Sequence, residues 1–550
     1  MSQSLTIIIG GGLSGLVTAY EITQAGKRVL LLEQENENNL GGQAYWSFGG
    51  LFFVNSKEQR RLGIKDSFAL AWQDWMGTAA FDREEDYWPK QWAEAYLKFA
   101  TEEKYNYVTR LGVRFFPIVG WAERGDGTAS GHGNSVPRFH ICWGTGTGLV
   151  KPFVEKAYAA QKKGLLEFKF RHQVTDLVFE EGKLIGVKGN ILAEDHHPRG
   201  EKSNREIINH FAYRADQVVI ASGGIGANLG LVKKNWPSRL GHPPENLVCG
   251  VPDYVDGNML TAAEKAGVKL INKDRMWHYV EGIKNWNPIW SNHGIRILPG
   301  PSSLWLDATG KRLPPPLFPG FDTLATLDYI QKSGYDYSWF ILNQRIIRKE
   351  FALSGSEQNP DLTQRNYKQI LNRLFGRQAT PPVEAFKKYG EDFIVENDLK
   401  KLVQRMNDLT GNSLLDEEKI KNIIMARDRE MDNKFGKDAQ INYIRSTRKY
   451  IGDRLARVAP PHKILDPGNG PLIAVRLRIL TRKTLGGIQT NLNGQAFTQD
   501  GRVIPNLFAV GEAAGFGGGG MHGYRSLEGT FLGGCLFTGI TVGRYIAGKG

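Results

Sequence analysis

The 550-residue sequence predicts an α/β protein, a doubly wound parallel sheet interrupted by an inserted α+β unit and completed by the C-terminal segment. Three observations predict it. A short β-branched run, Ile7 to Ile9, ends directly in glycine, and a second apolar run, Val29 to Leu32, follows a helix-period segment. The same ending, an apolar strand that stops against small residues, recurs at Asp216 to Ile220 and at Leu507 to Val510. Between these last two lies a stretch of another character, first rich in Trp, Pro and Asn, then patterned as charged helices.

The first unit sets the chemistry. Gly10-Gly11-Gly12-Leu13-Ser14-Gly15 fits G-x-G-x-x-G between the first strand and a helix whose Leu16, Ala19, Tyr20 and Ile22 share one face. Gly10 makes the turn, Gly12 lets a pyrophosphate approach the backbone, and Gly15 lets helix and strand pack closely. Phosphates then sit on the free N–H groups that also include those of Leu13 and Ser14. Glu33, at the end of the second strand and followed by Gln34, accepts from ribose hydroxyls and disfavours a 2′-phosphate. The motif alone is weak, since any glycine turn matches it. With strand, helix, strand and terminal acid in register it reads as a Rossmann-like dinucleotide site.

The elements after it follow in order. Around Gly41, Gly42, Gln43, Ser47, Gly49 and Gly50, paired glycines can bring backbone amides against a diphosphate and a flavin ring. Helices are expected over Asp66–Phe81 and Gln91–Leu111, with Trp72, Trp75, Trp88 and Trp92 packing between them. The glycine-rich stretch 120–148 reads equally as a loop reaching into a site or as a surface Ω-loop. Leu149–Lys163 reads as an amphipathic helix. Strands are expected at Leu166–Phe170, Gln173–Phe179 (with Val174 as a cofactor contact) and Lys183–Val187, and residues 193–206 as a hairpin tip whose His196-His197 has no metal-ligand spacing. Ala221, Ser222 and Gly223 close the next strand against a ligand or a helix start. Residues 1–250 thus form the first part of the binding domain.

A capping domain is expected over 251–461, with a helix from Asp256 to Gly267, a hairpin at Leu304–Arg312, and helices over 341–457 punctuated by Pro381-Pro382 and Pro460-Pro461. Residues 462–550 return to the first domain. There Gly511-Glu512 ends a strand where a carboxylate can bind ribityl hydroxyls, and Gly529-Thr530-Phe531-Leu532 opens the last helix toward the ring.

Composition excludes several classes. No apolar run has membrane-spanning length, and no basic-then-apolar leader precedes Leu5. Cys142, Cys249 and Cys535 lie far apart, against a zinc site or disulfide framework and in favour of a reducing cytoplasm. The net charge of +13 includes 23 Lys/Arg against 17 Asp/Glu over 341–460, in mixed order, which reads as solvated surface rather than a nucleic-acid site. Gly223-Gly224-Ile225-Gly226 lacks the third glycine, so no NAD(P)H site is expected, and the electron partner is not read.

The segments IIIGGGLSGL, Gly41-Gly42, VVIASGG, VDGNMLTAAEKAG, LGGIQTN and LFAVGEAAGFGGGGMHGYRSLEGTFLGG together resemble the fumarate reductase/succinate dehydrogenase flavoprotein superfamily. The closer likeness is to its 3-ketosteroid dehydrogenase-like branch. The resemblance implies FAD, held non-covalently, because Gln43 stands where succinate dehydrogenases carry the attaching histidine. It implies a small-molecule substrate with an activated CH–CH bond and hydride transfer to or from flavin N5.

Neither family's catalytic set is intact. The turn reads Thr481-Arg482-Lys483-Thr484-Leu485-Gly486-Gly487 without the fumarate-reductase histidine. His522-Gly523-Tyr524-Arg525 carries its arginine one place early, Leu313–Pro319 lacks the expected donor arginine, and Gly320-Phe321 and Leu472-Ile473 stand where ketosteroid dehydrogenases carry tyrosines. The expected catalytic cluster is therefore Arg525, holding a carboxylate or polarising a carbonyl, Tyr524 or His522 exchanging the proton, and Lys483 as a basic partner, unless these merely hold the glycine loop. The alternatives are a fumarate reductase-like enzyme of small unsaturated acids and a flavin-binding protein that associates with RNA or protein.

Overall fold

The protein is described by a computed structural model over residues 4–549. Its first sheet has six strands in the order Gln495–Phe497, Val503–Ala509, Gln217–Ile220, Leu5–Ile9, Arg28–Glu33 and Leu166–Phe170. All neighbours are parallel except the edge strand Gln495–Phe497. The helices Leu13–Gln24, Thr145–Lys162 and Thr530–Ala547 cover one face and the antiparallel strands His172–Glu180, Lys183–Leu192 and Ile207–Arg214 the other, so the ends of the central strands are apolar, and Ile7, Ile8, Val218, Val219 and Ile220 are fully buried. Pairing of Ile9 with both Ile220 and Leu32, and of Ile220 with Ala509, brings four strand ends to one edge. Gly10, Glu33, Ala221 and Val510 leave the sheet there, where an open α/β sheet binds its ligand.

Two helices back this edge. Leu13–Gln24 packs on Thr530–Ala547 through glycine, since a Cβ at Gly539 would stand 2.8 Å from the Ser14 carbonyl and one at Gly543 2.5 Å from Glu21 Cβ. The helix Thr145–Lys162 packs against the first from the side, with the rings of Tyr20 and Phe153 6.2 Å apart. It starts four residues earlier than its periodicity predicts, because Gly144 at φ 98° sets the start. The expected segment Gln91–Leu111 is two helices, Tyr87–Glu102 and Lys104–Arg110, broken at Glu103, and Asp66–Phe81 shortens to Phe68–Ala79. Trp75 and Trp92 pack as expected and also donate to the carbonyls of Met521 and Asn491, at 3.0 Å each. The stretch 120–148 contains the strand Phe139–Cys142, which pairs with Gly50–Phe52 and Phe115–Gly120.

A second sheet of eight strands is organised around the thirteen-residue strand Leu472–Thr484. That strand pairs with Met276–Lys284, Tyr337–Asn343, Phe393–Glu396 and, in parallel, Val248–Cys249. The boundary expected at 461/462 thus falls before a strand of the second sheet, and the chain rejoins the first sheet only at Gln495. An alternating apolar strand looks alike in either sheet, and only its pairing tells them apart. For the same reason Leu304–Asp307 takes Tyr337–Asn343 as its main partner, although it also turns back so that Leu306 bridges Arg312.

Candidate functional site

Along the edge where the strands end runs an open cleft, lined from the Gly10–Gly12 turn of the first sheet to Tyr279 and Arg296 of the second.

One end is built from backbone. The three glycines of the first turn are glycine for three different reasons. Gly10 sits at φ +107°, and a Cβ there would meet the Ala221 carbonyl at 2.7 Å. At Gly15 a Cβ would stand 2.1 Å from the Gly10 carbonyl, so its absence permits helix–strand packing. Gly12 has φ −71°, and a Cβ built on it meets nothing within 4 Å. No protein atom requires a glycine at 12; the open space is what a phosphate needs. The helices Leu13–Gln24 and Thr530–Ala547 both begin after a glycine without a side-chain cap, so their first N–H groups are left for another acceptor.

Near the first turn, both oxygens of Glu33 are engaged by backbone, Oε2 by Gly11 N–H at 2.6 Å and Oε1 by Glu35 N–H at 3.0 Å. Burial raises the carboxyl above its usual range against these bonds. Each oxygen keeps a lone pair for a ribose hydroxyl. Gln34, His172, Val174, Tyr254 and Asp256 complete this wall. In the middle, Lys483 Nζ donates to Gln43 Oε1 at 2.8 Å and Gln43 Nε2 to Glu512 Oε2 at 2.7 Å. Glu512 Oε1 accepts from Thr484 N–H at 2.8 Å, which closes the chain.

The other end is built from side chains of the second sheet. Glu528 Oε1 accepts from Tyr279 Oη at 2.9 Å, Arg296 Nη1 at 2.7 Å and Trp277 Nε1 at 3.3 Å. Its Oε2 accepts from none of the described residues. Arg296 lies 3.8 Å over the Tyr279 ring and also meets Glu281 and Glu123, at 3.3 and 3.5 Å. Burial opposes the Arg296 charge, but these three carboxylates outweigh it and raise its pKa. Burial, offset in part by Arg296, pushes Glu281 up to about 7. Burial and then Glu528 hold the Tyr279 phenol well above its usual range, so it remains a donor. Arg482, on the same wall, donates only to Ser354 Oγ at 3.3 Å and meets no carboxylate among the described residues.

Of the expected binding residues, Gly10, Gly12, Leu13, Ser14, Glu33, Gln34, Gly41, Gly42, Gln43, Ser47, Gly49, Gly50, Val174, Ala221, Ser222, Gly223, Glu512, Gly529, Phe531 and Leu532 line the cleft. Gly15, Gly511 and Thr530 stand behind its wall: Gly511 N–H donates to Thr538 Oγ1 at 2.8 Å and Thr530 Oγ1 to the Leu527 carbonyl at 2.6 Å.

The expected catalytic cluster is not assembled, and of its four members only Lys483 reaches the cleft. His522 is buried, stacked 5.4 Å from Trp75 and bonded to Thr530 Oγ1 at 2.8 Å, and burial lowers its pKa to about 3. The Tyr524 ring lies against Arg275, Arg239 and Arg83 at 4.1, 5.1 and 5.5 Å. Arg525 makes no hydrogen bond to the described residues, does not line the cleft, buries its Nε without a partner and lies close enough to Arg239 to repel it. The cause is local. Gly523 at φ +60° tucks under Ala79, whose carbonyl accepts from Tyr524 N–H at 2.8 Å, and this swings 524–525 outward before Ser526 to Gly529 return. Glu528 is therefore the residue that enters.

Tyr279, Arg296, Ser354 and Glu528 were not expected; Arg482 was expected only as charge beside Lys483 that favours a reductase of small acids. The available signal was a charge set in an apolar strand, Glu281 in Met276–Lys284 and Arg296 in Gly294–Leu298.

Residues 6–532 match the model of the FAD binding domain family. The chain is 58% identical over 538 residues to a KsdD-like steroid dehydrogenase of Mycobacterium tuberculosis, covering 98% of this chain and 94% of the relative. It is 57% identical over 532 residues to a KsdD-like steroid dehydrogenase of Mycolicibacterium smegmatis, covering 97% and 96%. In fold it is similar to the 3-ketosteroid delta1-dehydrogenase from Sterolibacterium denitrificans, solved in complex with 1,4-androstadiene-3,17-dione. The TM-score is 0.68 at 14% identity, over 99% of each chain. The chain belongs to the FAD binding domain family.

Proposed function

We propose that this member of the FAD binding domain family is a dehydrogenase that oxidises a CH–CH bond beside the ketone of a steroid-like substrate, with FAD held non-covalently. The open space at Gly12, flanked by an uncapped helix start, is the observation that carries the cofactor. The relatives' activity, as their names give it, supports the substrate class. Bound FAD supplies the acceptor for the hydride that leaves the substrate.

The chain's own groups do the rest. Glu528, held by three donors on Oε1, presents Oε2 as the base for the proton on the carbon next to the ketone. Arg482, without a carboxylate partner, donates to the ketone oxygen, where negative charge develops as that proton leaves. Lys483, Gln43 and Glu512 fix the wall beside Phe531 and orient the cofactor. The unpaired Arg482 is also what favours the second reading, a reductase of small unsaturated acids, whose carboxylate it would hold.

Holoenzyme is offered 3-ketosteroids with an artificial electron acceptor, and fumarate with a reduced donor. Dye reduction by a 3-ketosteroid carries the proposal, turnover confined to the acid replaces it, and turnover of neither sinks it.

Non-covalent attachment is supported by Gln43, which is no nucleophile, and by Cys535, the one cysteine lining the cleft among the described residues. Burial pushes its thiol up to about 12, so it stays protonated. Acid precipitation then releases all the flavin; colour left on the pellet would refute this. Three unpaired cysteines support a reducing, cytoplasmic setting.

A further inference from the structure

Far along the chain from the strands that line the cleft, the helix Tyr367–Phe375 carries its apolar stripe outward. Tyr367, Leu371 and Phe375 stand at spacing i, i+4, i+8 and are 70%, 59% and 72% exposed, while Ile370 is the residue it buries. The helix Ile451–Ala456 lies beside it and exposes Ile451 and Leu455. Lys349 ties the two helix ends together by donating to the carbonyls of Leu374 and Leu455. An apolar patch of this kind on a surface marks something that covers it.

The charge around the patch says what. A cavity at the junction is lined by Arg348, Lys349, Arg373, Phe375, Arg448 and Arg454. Of its five cations only Arg373 has a carboxylate, Asp361 at 2.6 Å; the other four meet none among the described residues. They repel one another, and Lys349 is lowered by burial and by Arg348 and Arg448. Cations of which four have no carboxylate partner among the described residues, beside protruding Leu, Phe and Tyr, match an anionic interface with an apolar interior. No helix of the described residues is long and apolar enough to cross a membrane, so any association is on the surface.

We propose that this face docks on an anionic lipid bilayer, with Tyr367, Leu371 and Phe375 entering the headgroup region and the Arg348/Arg454 cavity taking a lipid phosphate. The inference does not depend on which substrate the cleft takes.

Flotation of holoenzyme with phosphatidylcholine vesicles, with and without phosphatidylglycerol, tests it. Binding is expected only with the anionic lipid and is weakened by salt. Arg348→Glu with Arg454→Glu should cut the partition by about 25-fold or more, each cation being worth on the order of fivefold. Leu371→Ser with Phe375→Ser should cut it independently, at normal salt, with flavin content and turnover unchanged in both pairs. No binding, equal binding to neutral vesicles, or variants that float like the parent would overturn the proposal. So would a parent that sediments as a dimer and becomes a monomer in the serine pair, which would make the face a contact between two copies.

Discussion

The two ends of the cleft are made of different material. At the end proposed for the phosphates the cleft wall is backbone: glycines, an open position at Gly12 and uncapped N–H groups near one turn. At the end proposed for the substrate it is side chains, Tyr279, Arg296, Arg482 and Glu528, carried by strands and a loop that meet only in the folded sheet. A backbone site tolerates no added atoms. A side-chain site tolerates substitution but loses its chemistry, so the two ends should fail differently.

The largest effect is expected at the backbone end. Gly12→Val fills the open position, and the purified protein should be colourless and should melt lower than the parent by the lost binding linkage, about 2.7 kcal/mol where cofactor exceeds its dissociation constant a hundredfold. A yellow, fully loaded variant would erase the contrast. At the other end, Glu528→Gln should retain flavin while kcat falls by roughly two orders of magnitude or more, the scale of general base catalysis. Arg482→Ala should lower kcat/KM by about two orders of magnitude, with lysine restoring part of it. Both sharpen the contrast only if absorbance shows the flavin still bound.

Smaller effects test the placement of the glycine loop. Arg525→Ala should leave turnover within about twofold of the parent, because its side chain faces the Arg239 side rather than the cleft. A hundredfold loss would return Arg525 to the reacting centre. Glu357, with Oε2 buried and unpartnered, is raised by burial to about 7. A carboxyl whose folded pKa exceeds its unfolded value favours folding below the unfolded pKa and loses that stability as pH rises through the folded one. Glu357→Gln should therefore match the parent near pH 4, melt progressively higher than it as pH rises from there to about 7, and keep a constant lead above that. Parallel melting curves across that window would show that Glu357 ionises normally.

What was legible in the sequence follows the same division. The reasons for Gly10, Gly12 and Gly15 are local, set by the distance from a strand end to a helix start, and so the spacing carries them. Glu528 and Tyr279 lie 249 residues apart and meet through a register that no local pattern encodes. His522, Tyr524 and Arg525 follow a glycine tract beside the last helix, a position that in sequence is as near the cleft as Glu528. A single positive φ at Gly523 then decides which side chain of that loop enters, and glycine permits either hand. The strand Leu472–Thr484 lies in the segment expected to return to the first domain, yet it pairs in the second sheet, since an apolar pattern reports burial and not partner.

That strand also limits how the molecule can diversify. Its first residues are core to the capping sheet, Arg482 and Lys483 form the cleft wall, and Thr484 anchors Glu512. One uninterrupted length of backbone thus couples the second sheet to the cleft wall proposed to support the cofactor. A single-residue insertion there would reverse the facing of every later side chain, exchanging Arg482 and Lys483 in one step. New substrate preference should accordingly be acquired through loops that touch the cleft singly, such as the one bearing Ser354, while this strand is inherited intact.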